Sequence, residues 1–223
     1  MCGKYILAQA AKAERALGIR RGRWDYPLSY RVLPSEPVPV ATGPVPEARI
    51  MRWGLIPFWA RGVPLKASTI NATIERLEDA PSYRDAWQRA QRCILPMGGF
   101  YEPHVNADGS RTPYFIHLAD REVFGVAGIW ERSRREDGEW VYSCALITVP
   151  ANPLLAQVHN AKPRMPAILE ASDYLTWLGE DAQAAKATLR PYPADTMVAY
   201  AVSSRVNHPR QPNDATLIQP LSA

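Results

Sequence analysis

Val123-Phe-Gly-Val-Ala-Gly-Ile-Trp130, then the polar Glu136-Asp-Gly-Glu139, then Trp140-Val-Tyr-Ser-Cys-Ala-Leu-Ile-Thr-Val149: two runs of β-branched and aromatic residues flank an Asp-Gly pair. Such runs read as strands, and Asp-Gly between them reads as a hairpin turn. The stretch predicts strands over Val123–Trp130 and Trp140–Val149. Working outward, similar runs predict strands at Arg49–Ile56, Arg92–Leu95, Tyr114–Leu118 and Met197–Val202. Asn106-Ala-Asp-Gly109 marks a second hairpin turn, and the Pro- and Val-rich segment from Pro27 to Pro46 reads as extended chain with turns. Helical composition covers Ala8–Leu17, which stops at Gly18, then Tyr83–Arg92, Pro153–Val158, Ala171–Leu178 and Asp181–Leu189. The 21 prolines argue against a mainly helical chain. Strands and helices mix without strict βαβ alternation. The fold class is therefore α+β, a mainly antiparallel barrel-like β-sheet with peripheral helices, in a single domain over residues 1–223.

At 223 residues and 47% apolar content, the chain can bury a sizeable core. No run approaches the roughly 20 apolar residues of a membrane span. Near the start, Ile6, Leu7 and Ala8 are soon followed by Gln9 and Lys12, unlike a signal peptide. The expected location is the cytoplasm, in association with the nucleoid if the source is bacterial, with no membrane partner. Three cysteines at positions 2, 93 and 144 match no metal-ligand spacing and no disulfide framework. Cys93 and Cys144 lie in apolar strand-like runs and read as buried small hydrophobes. A net charge of +4 and a pI near 9.0 are compatible with a polyanionic partner. The clusters Arg20-Arg21-Gly22-Arg23 and Arg132-Ser133-Arg134-Arg135 read first as solvated loop charge.

Cys2 needs its own account. A small residue after Met1 permits removal of the initiator, leaving Cys2 with a free α-amine beside its thiol. An α-amine titrates at about 7.7–8.0 and a cysteine thiol at about 8.5, so both are partly nucleophilic near neutrality. Together they convert an aldehyde first to a Schiff base and then to a five-membered thiazolidine. Four further polar residues lie in apolar or tightly turned settings: Asn71, Glu102, His159 and Arg164. Taken singly, each has a structural reading as turn Asn, exposed Glu, hydrogen-bonded His or surface Arg. His104, two positions after Glu102, reads as a loop residue first and as a support for Glu102 second, and His117 and His208 carry no role.

Taken in order, Met1-Cys2-Gly3, Trp53-Gly54-Leu55-Ile56-Pro57, Ile70-Asn71-Ala72, Gly99-Phe100-Tyr101-Glu102, Val158-His159-Asn160 with Arg164-Met165-Pro166, and Leu217-Ile218-Gln219-Pro220 resemble the SOS-response-associated peptidase family. Its members process abasic sites in single-stranded DNA by covalent cross-linking. The resemblance implies that Cys2 captures the ring-opened aldehyde and that Asn71 positions the amine or the sugar. It makes Glu102 the acid/base of imine formation and ring closure, and His159 a second acid/base for opening the sugar. It places Gly3, Lys4 and Arg164 at DNA phosphates, and Pro34 and Trp59 against bases or sugars beside the lesion. It implies no cofactor and no metal, a monomer, and single-stranded DNA containing abasic sites as partner. No replication-fork protein partner is identified.

The chain departs from the family pattern at several points. Lys4 and Pro103 stand where Arg and Trp are frequent, Thr73 stands where an Arg is common, and Arg31 replaces an Asn before Val32-Leu33-Pro34. Ala161-Lys162-Pro163 looks inserted ahead of Arg164. These changes bear on DNA contacts rather than on Cys2, Asn71, Glu102 or His159. The rival reading is a cysteine-nucleophile peptidase or amidohydrolase that uses Cys2 with its α-amine as base.

Overall fold

The computed structural model describes residues 2–221, so Met1 lies outside the described residues. The first strands are β1 (Tyr5–Leu7), β2 (Ser29–Val32), β3 (Pro37–Thr42), β4 (Glu47–Trp53), β5 (Asn71–Thr73) and β6 (Arg92–Met97). They are followed by β7 (Gly99–Val105), β8 (Arg111–Leu118), β9 (Phe124–Arg134), β10 (Trp140–Pro150), β11 (Arg164–Pro166), β12 (Ile168–Leu169) and β13 (Met197–Ala201). Among the described residues five short α-helices fill the gaps: α1 (Ala10–Ala16), α2 (Arg84–Gln88), α3 (Pro153–Val158), α4 (Tyr174–Leu178) and α5 (Ala182–Ala187).

The β9–β10 hairpin is the spine, paired from Trp140↔Arg134 to Leu146↔Gly128. From it a ring closes through β10, β4, β3, β6 and back to β9, a five-stranded barrel. All its pairings are antiparallel except β4 with β10. Closure removes the open edges that a flat sheet would expose. Side chains such as Val38, Val40, Met51, Ile94, Val126 and Leu146 fill the core and are at most 1% exposed. A second antiparallel sheet runs in the order β13-β8-β7-β1-β2. It leans on the barrel through Tyr5, whose ring meets Trp53 edge-on at 5.0 Å between centroids. The α+β reading and its barrel-like antiparallel sheet are borne out.

Boundaries moved where backbone geometry intervened. The strand expected to run to Ile56 stops at Trp53, because Gly54 turns the chain at φ 121°. The helix expected over Tyr83–Arg92 ends at Gln88, and Ala90, at φ 52°, swings the chain into β6. The segment Ala171–Leu178 splits into a 3₁₀ turn and α4. Strand β7 stands outside the expected strands, since Gly98-Gly99 and Pro103 are residue types that locally favour turns. Pairing to β1 on one side and β8 on the other overrides them. At Gly99 a Cβ would fall 2.4 Å from the Phe115 ring, so this crossing requires glycine. No helix among the described residues is long and apolar enough to cross a membrane.

Strand β10 also positions the site. Beyond its barrel pairings, its last residues have new neighbours on both sides: Leu146 faces Asn71 of β5, and Thr148 faces Pro166 of β11.

Candidate active site

The N-terminal segment reaches the site along β7. Past the Tyr5↔Phe100 pair, the Tyr101 N–H donates to the Lys4 carbonyl at 3.0 Å, so the ladder extends to residues just ahead of β1. Cys2 is thereby carried into the protein, where it is 1% exposed. Its thiol points at the Lys4 carbonyl, 3.6 Å away. Burial, followed by the negative charge of Glu102, pushes the Cys2 thiol well above its ordinary value. Asn71, buried at the start of β5, donates from Nδ2 to the Cys2 carbonyl at 2.8 Å. Its own carbonyl accepts from the Tyr83 hydroxyl at 3.1 Å, which anchors the strand.

Glu102 and His159 come from separate elements, the first from β7 and the second from the residue that ends α3. Their side chains are 1% and 4% exposed, with Oε2 and Nε2 3.6 Å apart. His159 Nδ1 lies 3.3 Å from the Arg164 carbonyl, which can only accept. The proton therefore sits on Nδ1, and Nε2 presents its lone pair toward Glu102. Burial raises the Glu102 carboxyl to about 7, while burial lowers His159 below its usual value. Near neutrality the carboxyl can give or take a proton, and the imidazole is neutral.

Two side chains brace this pair. His104 Nδ1 lies 3.1 and 3.2 Å from the Gln157 and Val158 carbonyls at the end of α3. Asn160 accepts from the Val105 N–H at 3.0 Å and donates to its carbonyl at 2.9 Å, as a strand neighbour would. Helix α3 starts firmly too, with Asn152 Oδ1 accepting from the Leu155 N–H at 2.8 Å. His104 is thus a strand residue tied to the segment bearing His159, not a loop residue. Neither brace had a local signal, since each partner lies more than 50 positions away.

The remaining expected residues vary in placement. Gly3 and Lys4 are half-buried beside Cys2, and Lys4 Nζ donates to Asn207 Oδ1 at 2.7 Å. Arg164 sits next to the site on β11. Its Nη2 and Nε reach Thr148, and its Nη1 pairs with Glu75 at 3.1 Å. Pro34 is exposed at the β2–β3 turn. Trp59 is 46% exposed, and its indole donates to the Pro81 carbonyl at 3.2 Å, two residues before Tyr83. Neither Pro34 nor Trp59 is hydrogen-bonded to the buried group. Arg31, expected to bear on DNA contacts, is instead buried, and its guanidinium donates to the Arg205, Pro209 and Gln211 carbonyls. A cation in a pocket of carbonyl oxygens is a structural clamp. Cys93 and Cys144 are fully buried in the barrel. A cavity of about 630 Å³ lies away from Cys2 between β1 and β8. Its cations Lys12 and Arg121 are matched by Glu122 and Asp120.

The chain is similar in sequence and in fold to several known proteins. The family model described as SOS response associated peptidase (SRAP) matches residues 1–209. Abasic site processing protein YoqW of Bacillus subtilis is 35% identical over 200 residues, covering 87% of each chain. Abasic site processing protein HMCES of Mus musculus is 27% identical, covering 72% of this chain and 53% of that one. Among solved structures, a protein from Bacteroides thetaiotaomicron superposes with a TM-score of 0.85 at 27% identity, over 98% of this chain and all of the other. One from Bordetella bronchiseptica gives 0.79 at 31%, over 91% of this chain and all of the other.

Proposed function

Because the chain belongs to the SOS response associated peptidase family, we propose that it processes abasic sites in single-stranded DNA, capturing them covalently through Cys2 once Met1 is removed. The names of its relatives support the substrate class. One observation carries the reading: Asn71 holds the Cys2 backbone, and the Cys2 thiol meets the Lys4 carbonyl that accepts from the N–H of Tyr101, the residue before Glu102, whose carboxyl lies 3.6 Å from His159.

In its ring-opened form an abasic deoxyribose carries an aldehyde. His159, its Nε2 lone pair facing inward, takes the anomeric hydroxyl proton as the carbon–ring oxygen bond breaks, then returns it to the freed ring oxygen, so the open aldehyde forms and His159 is neutral again. The α-amine of Cys2 adds to the aldehyde carbon to give a carbinolamine. Glu102, still protonated near neutrality, gives its proton to the departing hydroxyl, so water leaves and an iminium remains. The thiol is held in its protonated form by burial. The Glu102 carboxylate just formed takes that proton back as sulfur bonds to the iminium carbon. The product is a neutral thiazolidine, one water is lost, and Glu102 ends as it began. No oxidant or reductant is needed. Asn71 keeps the amine and thiol aimed at one carbon, an orienting role that proximity rewards strongly.

Cys2→Ser separates the two nucleophiles. Its amine still makes an imine, but its oxygen closes the ring poorly. On a denaturing gel with an abasic oligonucleotide, this variant should show a bond only after borohydride reduction, while the native protein needs none. An unreduced Cys2→Ser adduct as stable as the native one would rule out thiazolidine formation.

A further inference from the structure

Most cations around the reaction site already have an acid or a carbonyl as partner. Arg164 is paired with Glu75 and bonded to Thr148, and Arg31 is enclosed by three carbonyls. Lys4 and Arg111 differ. Both line a cavity of about 240 Å³ that borders Glu102, with Pro103 and Pro113 in its wall and Asn207 at its edge.

Strand register explains the placement. Arg111 stands opposite Val105 across β7–β8, and Pro113 stands opposite Pro103. Directly opposed residues share a face, so Arg111 emerges on the side of Tyr101 and Pro103. Lys4 joins that side because its carbonyl takes the Tyr101 N–H at 3.0 Å. Glu102 projects from the opposite side of β7, toward His159. The Lys4 ammonium is held by Asn207 Oδ1 at 2.7 Å, a neutral acceptor that fixes its position without cancelling its charge. Arg111 is exposed, and among the described residues no carboxylate lies within 4.0 Å of its guanidinium. The nearest acid in sequence, Asp108, is held by the Ser110 N–H at 2.9 Å and hydroxyl at 2.6 Å.

An exposed guanidinium with no carboxylate within 4.0 Å among the described residues, beside an ammonium held by a neutral acceptor, at the mouth of a cavity too small for a drug-sized ligand of roughly 300–1,000 Å³, suits one compact anion. We propose that this cavity is a phosphodiester subsite, in which Arg111 joins Lys4, a residue the family resemblance already sets at a DNA phosphate, to hold a backbone phosphate of single-stranded DNA beside the reacting nucleotide. The guanidinium fork matches two phosphate oxygens, and the ammonium adds a point charge. The inference rests on the DNA-directed reading of the site but not on the chemistry of Cys2.

The test uses an undamaged single-stranded oligonucleotide, whose affinity is measured across a salt series. Each single-strand phosphate contact adds about 0.7 to the slope of log affinity against log salt, or about fivefold in affinity at 0.1 M. Arg111→Ala should lose that slope and that factor at unchanged Tm, because Arg111 is an exposed residue near a hairpin turn. Arg111→Lys should recover the slope. Asn207→Ala should weaken binding with the slope kept, since the Lys4 charge remains but is no longer held. An Arg111→Ala slope and affinity equal to the native values overturn the subsite. Because no lesion is present, the result stands apart from covalent capture. A native protein that makes no adduct with abasic DNA would sink the Cys2 mechanism while leaving this measurement decisive.

Discussion

Glu102 concentrates the chemistry in one side chain, and its burial sets both a cost and a use. With a carboxyl raised from 4.5 to about 7, the folded protein resists ionisation that the unfolded chain accepts freely. The penalty is absent below the unfolded value, grows as pH rises from about 4.5 to about 7, and is then complete, on the order of 3 kcal/mol. Glu102→Gln should therefore be more thermally stable than the native protein at pH 8, with the gap closing near pH 4. An equal gap at both values would mean that Glu102 is not the strained acid. The same variant should slow cross-linking by roughly 10²–10⁴ while leaving oligonucleotide affinity intact. In the native protein the rate should fall as pH rises through about 7, because the proton donor is lost, and Glu102→Gln should lack that alkaline limb. Cys2, Asn71, Glu102 and His159 were legible because each sits in a short motif. Asn207 and Arg111 carry no motif, since their meaning comes from a cavity that only the folded chain assembles.

At the level of elements, the site depends on how β7 is fastened to the end of α3. Asn160 and His104 form that fastening, and they decide where His159 Nε2 points relative to Glu102. Removing the Asn160 amide leaves the Val105 N–H and carbonyl to water, because the position is exposed. The stability cost should be small, about 1 kcal/mol, but the imidazole loses its fixed direction. Asn160→Ala should thus slow adduct formation at least tenfold with Tm nearly unchanged and DNA affinity native, as read from single-turnover gels. A native rate would show that the His159 segment holds its place without this clamp. The β9–β10 hairpin was readable from local pattern alone, since Asp-Gly and two β-branched runs agree. Strand β7 was not, because its glycines and proline argue locally for a turn while its partners, β1 and β8, supply the bonds. The three-residue strands β1, β5 and β11 are likewise too short to show a period, and they exist because β7 and β10 pair with them.

Across the whole molecule, a barrel closed by β10 and a second sheet hung on Tyr5 bring residues 2, 71, 102 and 159 together from four separate elements. The net charge of +4 says little about where DNA lies, because many cations are paired. Glu75 is the informative acid. It neutralises Arg164 on one side of the site, and its carboxyl is held below the usual range, with the Arg164 hydrogen bond the main cause lowering it against burial. If the strand passes Arg164, Glu75→Gln should tighten binding to single-stranded DNA and steepen its salt dependence. If affinity and slope stay native, Arg164 lies off the strand path.

The central claim is that the Cys2 amine and thiol close on one aldehyde carbon. Intact mass after incubation with an abasic oligonucleotide tests it most directly. The native protein should appear without Met1, joined to one oligonucleotide and lighter than the sum of the two by one water, and the species should survive denaturation without reductant. The same chain carrying one uncleaved residue ahead of Cys2 keeps the thiol but moves the amine, and should show no such mass. A stable adduct of equal yield from the extended chain would contradict the account and place the bond on another residue.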